Sequence, residues 1–254
     1  MTEPILLRHD RDGVVTLTLN RPHQFNALST ELLDALQAEL DKLGADEAAR
    51  VVVIAGAGKA FCAGHDLRQM RAHHDKATMQ KLFKQCARVM TTIVELPQPV
   101  IARVHGVATA AGCQLVASCD LAVAADVARF AVSGINVGLF CSTPAVALSR
   151  NVGRKQALEM LLTGEFIDAL EAQRRGLVNR VCPADALDAE IDRLAAGIAA
   201  KSRTAIAMGK QLFYRQLEMG MAGAYQLAGE TMACNMMTDD AVTGIDAFMN
   251  KKKG

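Results

Sequence analysis

Much of the first narrowing comes from what this chain lacks. No sign of charge dominates, because 28 Lys and Arg stand against 27 Asp and Glu over 254 residues, a net charge of +1. Without a basic excess there is no counterion-release contribution of the kind nucleic-acid binding depends on, and the closing Lys251-Lys252-Lys253 is too short to supply one. No C-x-x-C pair occurs among the seven cysteines, Cys62, Cys86, Cys113, Cys119, Cys141, Cys182 and Cys234. An odd set without a pairing pattern argues against a disulfide framework or a zinc ribbon, and it sets the expected compartment as a reducing cytoplasm.

No apolar run reaches the ~20 residues that cross a bilayer, since Arg, Asp or Gly interrupts each one, and no membrane partner is expected. Met1-Thr2-Glu3-Pro4 has neither the basic-then-apolar plan of a secretory signal nor the Arg-rich face of a transit peptide, so the mature protein is expected to start there. No G-x-x-x-x-G-K-[ST] and no G-x-G-x-x-G follows a strand, which removes the usual phosphate and dinucleotide loops. His73-His74-Asp75 has no further ligand at metal spacing and reads as a solvated loop. Internal repeats and low-complexity tracts are also missing.

What is present is a hydrophobic fraction of 51%, ample for a buried core. Residues 5–9, the polar stretch 10–13 and residues 14–20 read as a β-hairpin, with Val15, Leu17 and Leu19 on one face. Ser29 or Thr30 can cap a helix whose Leu32, Leu36, Leu40 and Leu43 form one stripe, closed by Gly44, and residues 50–55 follow as a continuous apolar strand. Met79, Leu82, Phe83, Cys86, Val89, Met90 and Ile93 recur at helical spacing until Pro97 and Pro99 stop the helix before a strand at 100–104.

Shorter elements come next: helices at 110–118, 144–151 and 154–163, and strands at 121–124, around Phe130 and at 178–182. Asp168 with Glu171 forms a capping box for a short helix ending at Gly176. From Ala184 onward strand signals vanish and the pattern is helical. Strand and helix alternation without a long linker indicates an α/β class with parallel crossovers.

Two segments leave buried strands and are rich in small residues. AFCAGHDL, residues 60–67, can let a ligand approach the backbone and offer an N–H to a developing oxyanion; an ordinary strand-to-helix turn needs the same glycine. HGVATAAGCQL, residues 105–115, enters a helix whose first N–H groups lack partners; close packing of helix on sheet would select the same Ala and Gly. Two such loops in one chain are more informative than either alone, because an oxyanion hole needs two donors converging on one oxygen.

With these stand Asn20-Arg21-Pro22, Asn26-Ala27-Leu28, the AAGCQL-to-CD stretch and GLVNRV at 176–181, and in order and spacing the chain resembles the crotonase (enoyl-CoA hydratase/isomerase) family over nearly its whole length. The resemblance implies an α/β spiral of strand-strand-helix repeats over residues 1–195, and a C-terminal helical oligomerisation region over 196–254 that assembles a homotrimer or a dimer of trimers. It implies an acyl-CoA thioester as partner, with coenzyme A entering as part of the substrate and no permanently bound cofactor. By that likeness the oxyanion donors are the backbone N–H groups of His65 and Ala111, while Ala63, His65, Asp66, Leu67, Arg68 and Ala111 line the CoA site. Phe248 and the nearby lysines would cover CoA from a neighbouring subunit.

One departure from the family pattern bears on chemistry. Hydratases of this family use two glutamates; here the first position is Gln114 and the second is Gly134. Glutamine can orient a water but cannot take its proton, and glycine has no side chain, so two-carboxylate hydration is not expected. The stretches AAGCQLVASCD and NVGLFCSTP mark a subgroup within the family. The reading is a protein that binds an acyl-CoA thioester and stabilises its enolate. Decarboxylation of a malonyl-type thioester and non-catalytic acyl-CoA binding stand as alternatives, and hydration would need a carboxylate such as Glu165 or Asp126 from elsewhere. The His65 side chain and Cys141 are further candidates for chemistry, against a bland role for each as a backbone donor and a small buried hydrophobe.

Overall fold

The computed structural model describes residues 3–72 and 75–251. Strands β1 (Leu6–Arg11) and β2 (Val14–Leu19) form the expected hairpin, but its turn is the two residues Asp12 and Gly13 rather than 10–13. Both have left-handed backbones, φ 51° and 77°, which a tight hairpin turn demands and Asp and Gly tolerate. Helix α1 (Thr30–Ala45) is capped by the Ser29 hydroxyl, which accepts from the Leu32 N–H at 3.3 Å, and the whole leucine stripe is buried.

Three strand-strand-helix units then succeed one another. The first is β3 (Val51–Gly56), β4 (Ala60–Cys62), α2 (Leu67–Ala72) and α3 (Lys76–Glu95). The second is β5 (Val100–Val104), β6 (Val107–Thr109) and α4 (Ala111–Ser118), and the third β7 (Leu121–Ala125), β8 (Arg129–Ala131), α5 (Ser142–Asn151) and α6 (Arg154–Thr163). After them come β9 (Ile167–Asp168), α7 (Ala169–Arg174), β10 (Arg180–Cys182) and α8 (Leu187–Ala199), then α9 (Arg203–Leu217), α10 (Met221–Met236) and α11 (Asp239–Lys251).

The first strand of each unit joins a six-stranded sheet, β1-β2-β3-β5-β7-β10, parallel from β2 onward; the second joins a smaller sheet, β4-β6-β8-β9. This alternation between two sheets is the α/β spiral that the resemblance implies. Strands β3, β5 and β7 are buried almost throughout, as parallel strands covered on both faces must be. Of the smaller sheet the sequence reading has only the strand around Phe130; it takes residues 60–67 as a loop and 105–115 as a loop entering a helix, and so misses β4 and β6. Strands of three residues are too short to show alternation.

The smaller sheet sets the position of the site. β4 and β6 are parallel neighbours, with Ala60 opposite Val107 and Cys62 opposite Ala108, so the segments leaving their C-terminal ends emerge side by side. In open α/β sheets that end of the strands is where ligands bind.

Helix α8 lays Leu187, Ile191 and Ala195 on the outer face of the large sheet, against Val51, Val53 and Ile101. Helices α9 and α10 bury no residue of their own. A polar hub ties α9 back: Lys210 Nζ lies 2.6 Å from Asp120 Oδ2 and donates to the carbonyls of Ile93 and Gln98, while Tyr214 donates to Asp120 Oδ1 at 2.8 Å. At α7, Asp168 caps as expected by accepting from the Glu171 N–H, but the Glu171 carboxylate turns to Arg174 and Arg175 instead of closing a box.

Candidate functional site

The first loop is built from below by the segment between β2 and α1. Asn26 is fully buried in a left-handed conformation, φ 55°, and its amide donates to the carbonyls of Ala57 and Ala60, both at 2.8 Å, and of Phe61. Its Oδ1 accepts from the Arg21 N–H. Leu28 then forms a parallel bridge to His65: its N–H donates to Gly64 O at 2.7 Å and its carbonyl accepts from Asp66 N–H at 3.1 Å. In such a bridge the flanking residues make both bonds, so the N–H of His65 is turned away from Leu28.

Gly64, at φ 93°, faces the second loop. A Cβ there would meet Ala110 Cβ at 2.8 Å and Ala111 N at 3.1 Å, so only glycine allows the loops this approach. Gly112 has the same function one residue on, where a Cβ would lie 2.1 Å from Cys62 O. Between them Ala110 holds φ 51° and ψ −120°, a conformation that a side chain makes costly and that persists only when its surroundings impose it. Its N–H is held by Ala131 O at 3.0 Å. Ala111 is the first residue of α4, where a backbone N–H has no partner within the helix. The structure thus brings His65 and Ala111 together at the mouths of adjacent strands.

The His65 imidazole packs edge-on against Phe83, with ring centroids 5.5 Å apart, and its Nε2 is buried without a hydrogen-bond partner. Burial pulls its pKa down to about 4, which leaves the ring neutral at pH 7. Asp66 has a structural task. Oδ1 accepts from the N–H groups of Arg68 and Gln69 at the start of α2, and Oδ2 pairs with Arg21 at 3.0 Å. Burial pushes its carboxyl up, yet Arg21 and the Gln69 and Arg68 amides more than offset this, and its pKa lies below the ordinary value. Ala63 is half-buried with its N–H on Phe25 O, whereas Leu67 and Arg68 stand exposed on α2.

Gln114 is 4% exposed and its Oε1 has no partner. Gly134 begins a tight return over Ser133–Val137: a Cβ would lie 2.6 Å from Leu139 O and 2.7 Å from Cys141 Sγ. No side chain fits there without moving backbone. Asp126 and Glu165, the alternative carboxylates, are both exposed, and Asp126 lies by β10 of the large sheet, where its N–H donates to Cys182 O. His73 and His74 lie outside the described residues, as do Lys252 and Lys253; among the described residues no His, Cys, Asp and Glu cluster fit for a metal occurs.

Sequence reasoning treated Asn26 and Arg21 only as marks of resemblance, and the structure makes them the scaffold of the first loop. The available signal was an asparagine in an otherwise apolar neighbourhood, a residue type that tolerates left-handed backbone and can bond several carbonyls.

Known proteins resemble this chain over nearly its whole length. The family described as "Enoyl-CoA hydratase/isomerase" matches residues 9–254. Enoyl-CoA hydratase domain-containing protein 3, mitochondrial, of Xenopus laevis is 45% identical over 98% of this chain and 85% of its own length. The human protein of that name is also 45% identical, over 95% of this chain and 80% of its own. Among solved structures, an enoyl-CoA hydratase of Mycobacterium smegmatis superposes with a TM-score of 0.97 at 62% identity over 98% of this chain and 97% of that one. The human domain-containing protein 3 gives 0.95 at 43% over 98% of each.

The expected cytoplasmic location is corrected by these relatives, which are named mitochondrial in frog, rat, mouse and human. Unpaired cysteines indicate a reducing compartment and do not say which one. The chain belongs to the enoyl-CoA hydratase/isomerase family, the crotonases.

Proposed function

We propose that this chain binds an acyl-CoA thioester with its carbonyl oxygen at the N–H groups of His65 and Ala111, and stabilises the enolate formed next to it. The observation that carries this reading is the junction of the two loops, where Gly64, Ala110 and Ala111 meet and Ala111 opens a helix. Two N–H donors aimed where an oxyanion develops are each worth ~3 kcal/mol of transition-state stabilisation. Ala63, Asp66, Leu67 and Arg68 follow the first donor and line the CoA side, with exposed Arg68 as the cation toward its phosphates.

Hydration through two carboxylates is not the reaction proposed. Gln114 cannot act as a base, and Gly134 is closed to a side chain by Leu139 O and Cys141 Sγ. A malonyl-type thioester fits what remains, because loss of carbon dioxide generates the enolate without a base. We further propose that residues 196–254 are the oligomerisation region, supported by the apolar side chains that α9 and α10 leave exposed, including Phe213, Leu217 and Tyr225.

The test is a panel of crotonyl-CoA, methylmalonyl-CoA and butyryl-CoA, each followed for binding and for turnover. Carbon dioxide release from methylmalonyl-CoA without hydration of crotonyl-CoA is the expected result. Binding of all three with no turnover would leave a carrier or regulator of acyl-CoA in place of an enzyme. Rapid hydration of crotonyl-CoA that survives Gln114→Ala would overturn the assignment of the missing base.

A further inference from the structure

Gly134 has no room for a side chain, and the space a side chain would take is filled by sulfur. Cys141 Sγ accepts from the Gly134 N–H at 3.3 Å and lies 2.7 Å from where its Cβ would stand. This stretch is fixed to the second loop, with Ser133 Oγ and Thr109 Oγ1 in a 2.7 Å hydrogen bond and the Ala110 N–H on Ala131 O. A second polar group on the second loop's helix is without a partner. Gln114, three residues beyond Ala111, shares its helix face, and helical side chains lean toward the N-terminus, the end at which Ala111 stands. Its Oε1 is buried with nothing to bond.

We propose that the Cys141 thiol delivers the proton to the α-carbon of the acyl-CoA enolate, at the position a carboxylic acid on residue 134 would otherwise serve, while Gln114 orients the acyl group; this rests on the enolate-forming reading above. With a malonyl-type thioester, the bond from the α-carbon to the carboxylate breaks and its electron pair passes into the enolate as carbon dioxide leaves. The thioester carbonyl then re-forms as the α-carbon takes the proton from sulfur. The S–H bonding electrons remain on Cys141 as thiolate, which regains a proton from water, so no oxidant or reductant is consumed.

The surroundings suit a thiol that carries its proton until needed. Burial holds the Cys141 pKa above the ordinary thiol value, and the Gly134 N–H, which offsets part of that rise, stabilises the thiolate as it forms. The titratable group that Cys141 acts on, Cys113 of α4, is itself neutral at pH 7, its thiol pushed up to about 12 by burial.

The same step run backwards gives a direct assay. The full chain is incubated with butyryl-CoA in deuterium oxide, α-hydrogen loss is followed by NMR, and Cys141→Ser and Cys141→Ala are run beside it with butyryl-CoA binding titrated for each. The wild-type chain should exchange one α-hydrogen, at a rate that climbs with pH as the thiol ionises. Both variants should bind butyryl-CoA as the wild type does and exchange about 100-fold more slowly or less. Serine keeps the shape of the site, so its result decides if the alanine variant does not fold. Exchange at the wild-type rate in the serine variant, or no exchange by a wild-type chain that binds butyryl-CoA, overturns the role of Cys141. Failure of the wild-type chain to bind any CoA thioester is a different outcome and removes the acyl-CoA reading itself.

Discussion

Gly134 illustrates how a single position can close off a reaction. Leu139 O and Cys141 Sγ both lie within 2.7 Å of where its Cβ would be, and one of the two is backbone. Gly134→Ala should therefore lower stability by ~1–3 kcal/mol through overpacking, measured by denaturant unfolding. Gly134→Glu combined with Gln114→Glu should fail to produce crotonyl-CoA hydration, since the carboxylate can enter only if residues 134–141 move. Appearance of hydratase activity in that double variant would show that the return accommodates a side chain. His65 carries a second residue-scale prediction. Its folded pKa of about 4 lies below the ordinary 6.5, so the unfolded chain binds the proton more readily between those values. The stability this group contributes is intact above about pH 6.5 and is lost as pH falls toward 4, with a slope up to ~1.4 kcal/mol per pH unit. Thermal melts of wild type and His65→Gln over that range should converge on the acid side.

Among the elements, α9 depends on one buried ion pair. Lys210 and Asp120 are 7% and 14% exposed at their side chains, and the lysine also satisfies the ends of two other segments through Ile93 O and Gln98 O. Burial pulls the lysine pKa down and Asp120 partly restores it. Lys210→Met leaves the carboxylate buried without its cation, and a loss of ~3–5 kcal/mol is expected by denaturant titration, with α9 the first segment to lose amide protection in hydrogen exchange. Uniform protection across the chain in that variant would mean that the pair does not tether the helix. Long elements such as α1 and α3 are legible in the sequence because a leucine or mixed apolar stripe repeats over several turns, and α6 falls at 154–163 as its pattern predicts. Strands β4 and β6 carry no such signal at three residues each, and they are the ones from which the two loops leave. The loops and the positions Gln114 and Gly134 can be read from the residues. The scaffold under them cannot, because Asn26 reaches Phe61 across 35 positions and Lys210 reaches Asp120 across 90.

For the whole molecule, the exposed face of α9 and α10 is the feature with a measurable consequence. Tyr225 is 74% exposed and Leu217 59%, on helices none of whose apolar residues is fully buried. Exposed apolar surface marks association in soluble proteins where it gathers into large patches. Light scattering should find the chain as a trimer or a multiple of one, and Tyr225→Lys with Leu217→Lys should shift it toward monomer. A monomeric wild type at micromolar concentration would exclude the assembly. The parallel pairing of β4 with β6 has another consequence. Neighbouring strands are held ~4.8 Å apart by their backbone bonds, so the spacing at which the two loops leave the smaller sheet is set by the main chain. The loop junction can therefore outlast exchanges at other positions so long as Gly64 and Gly112 are kept.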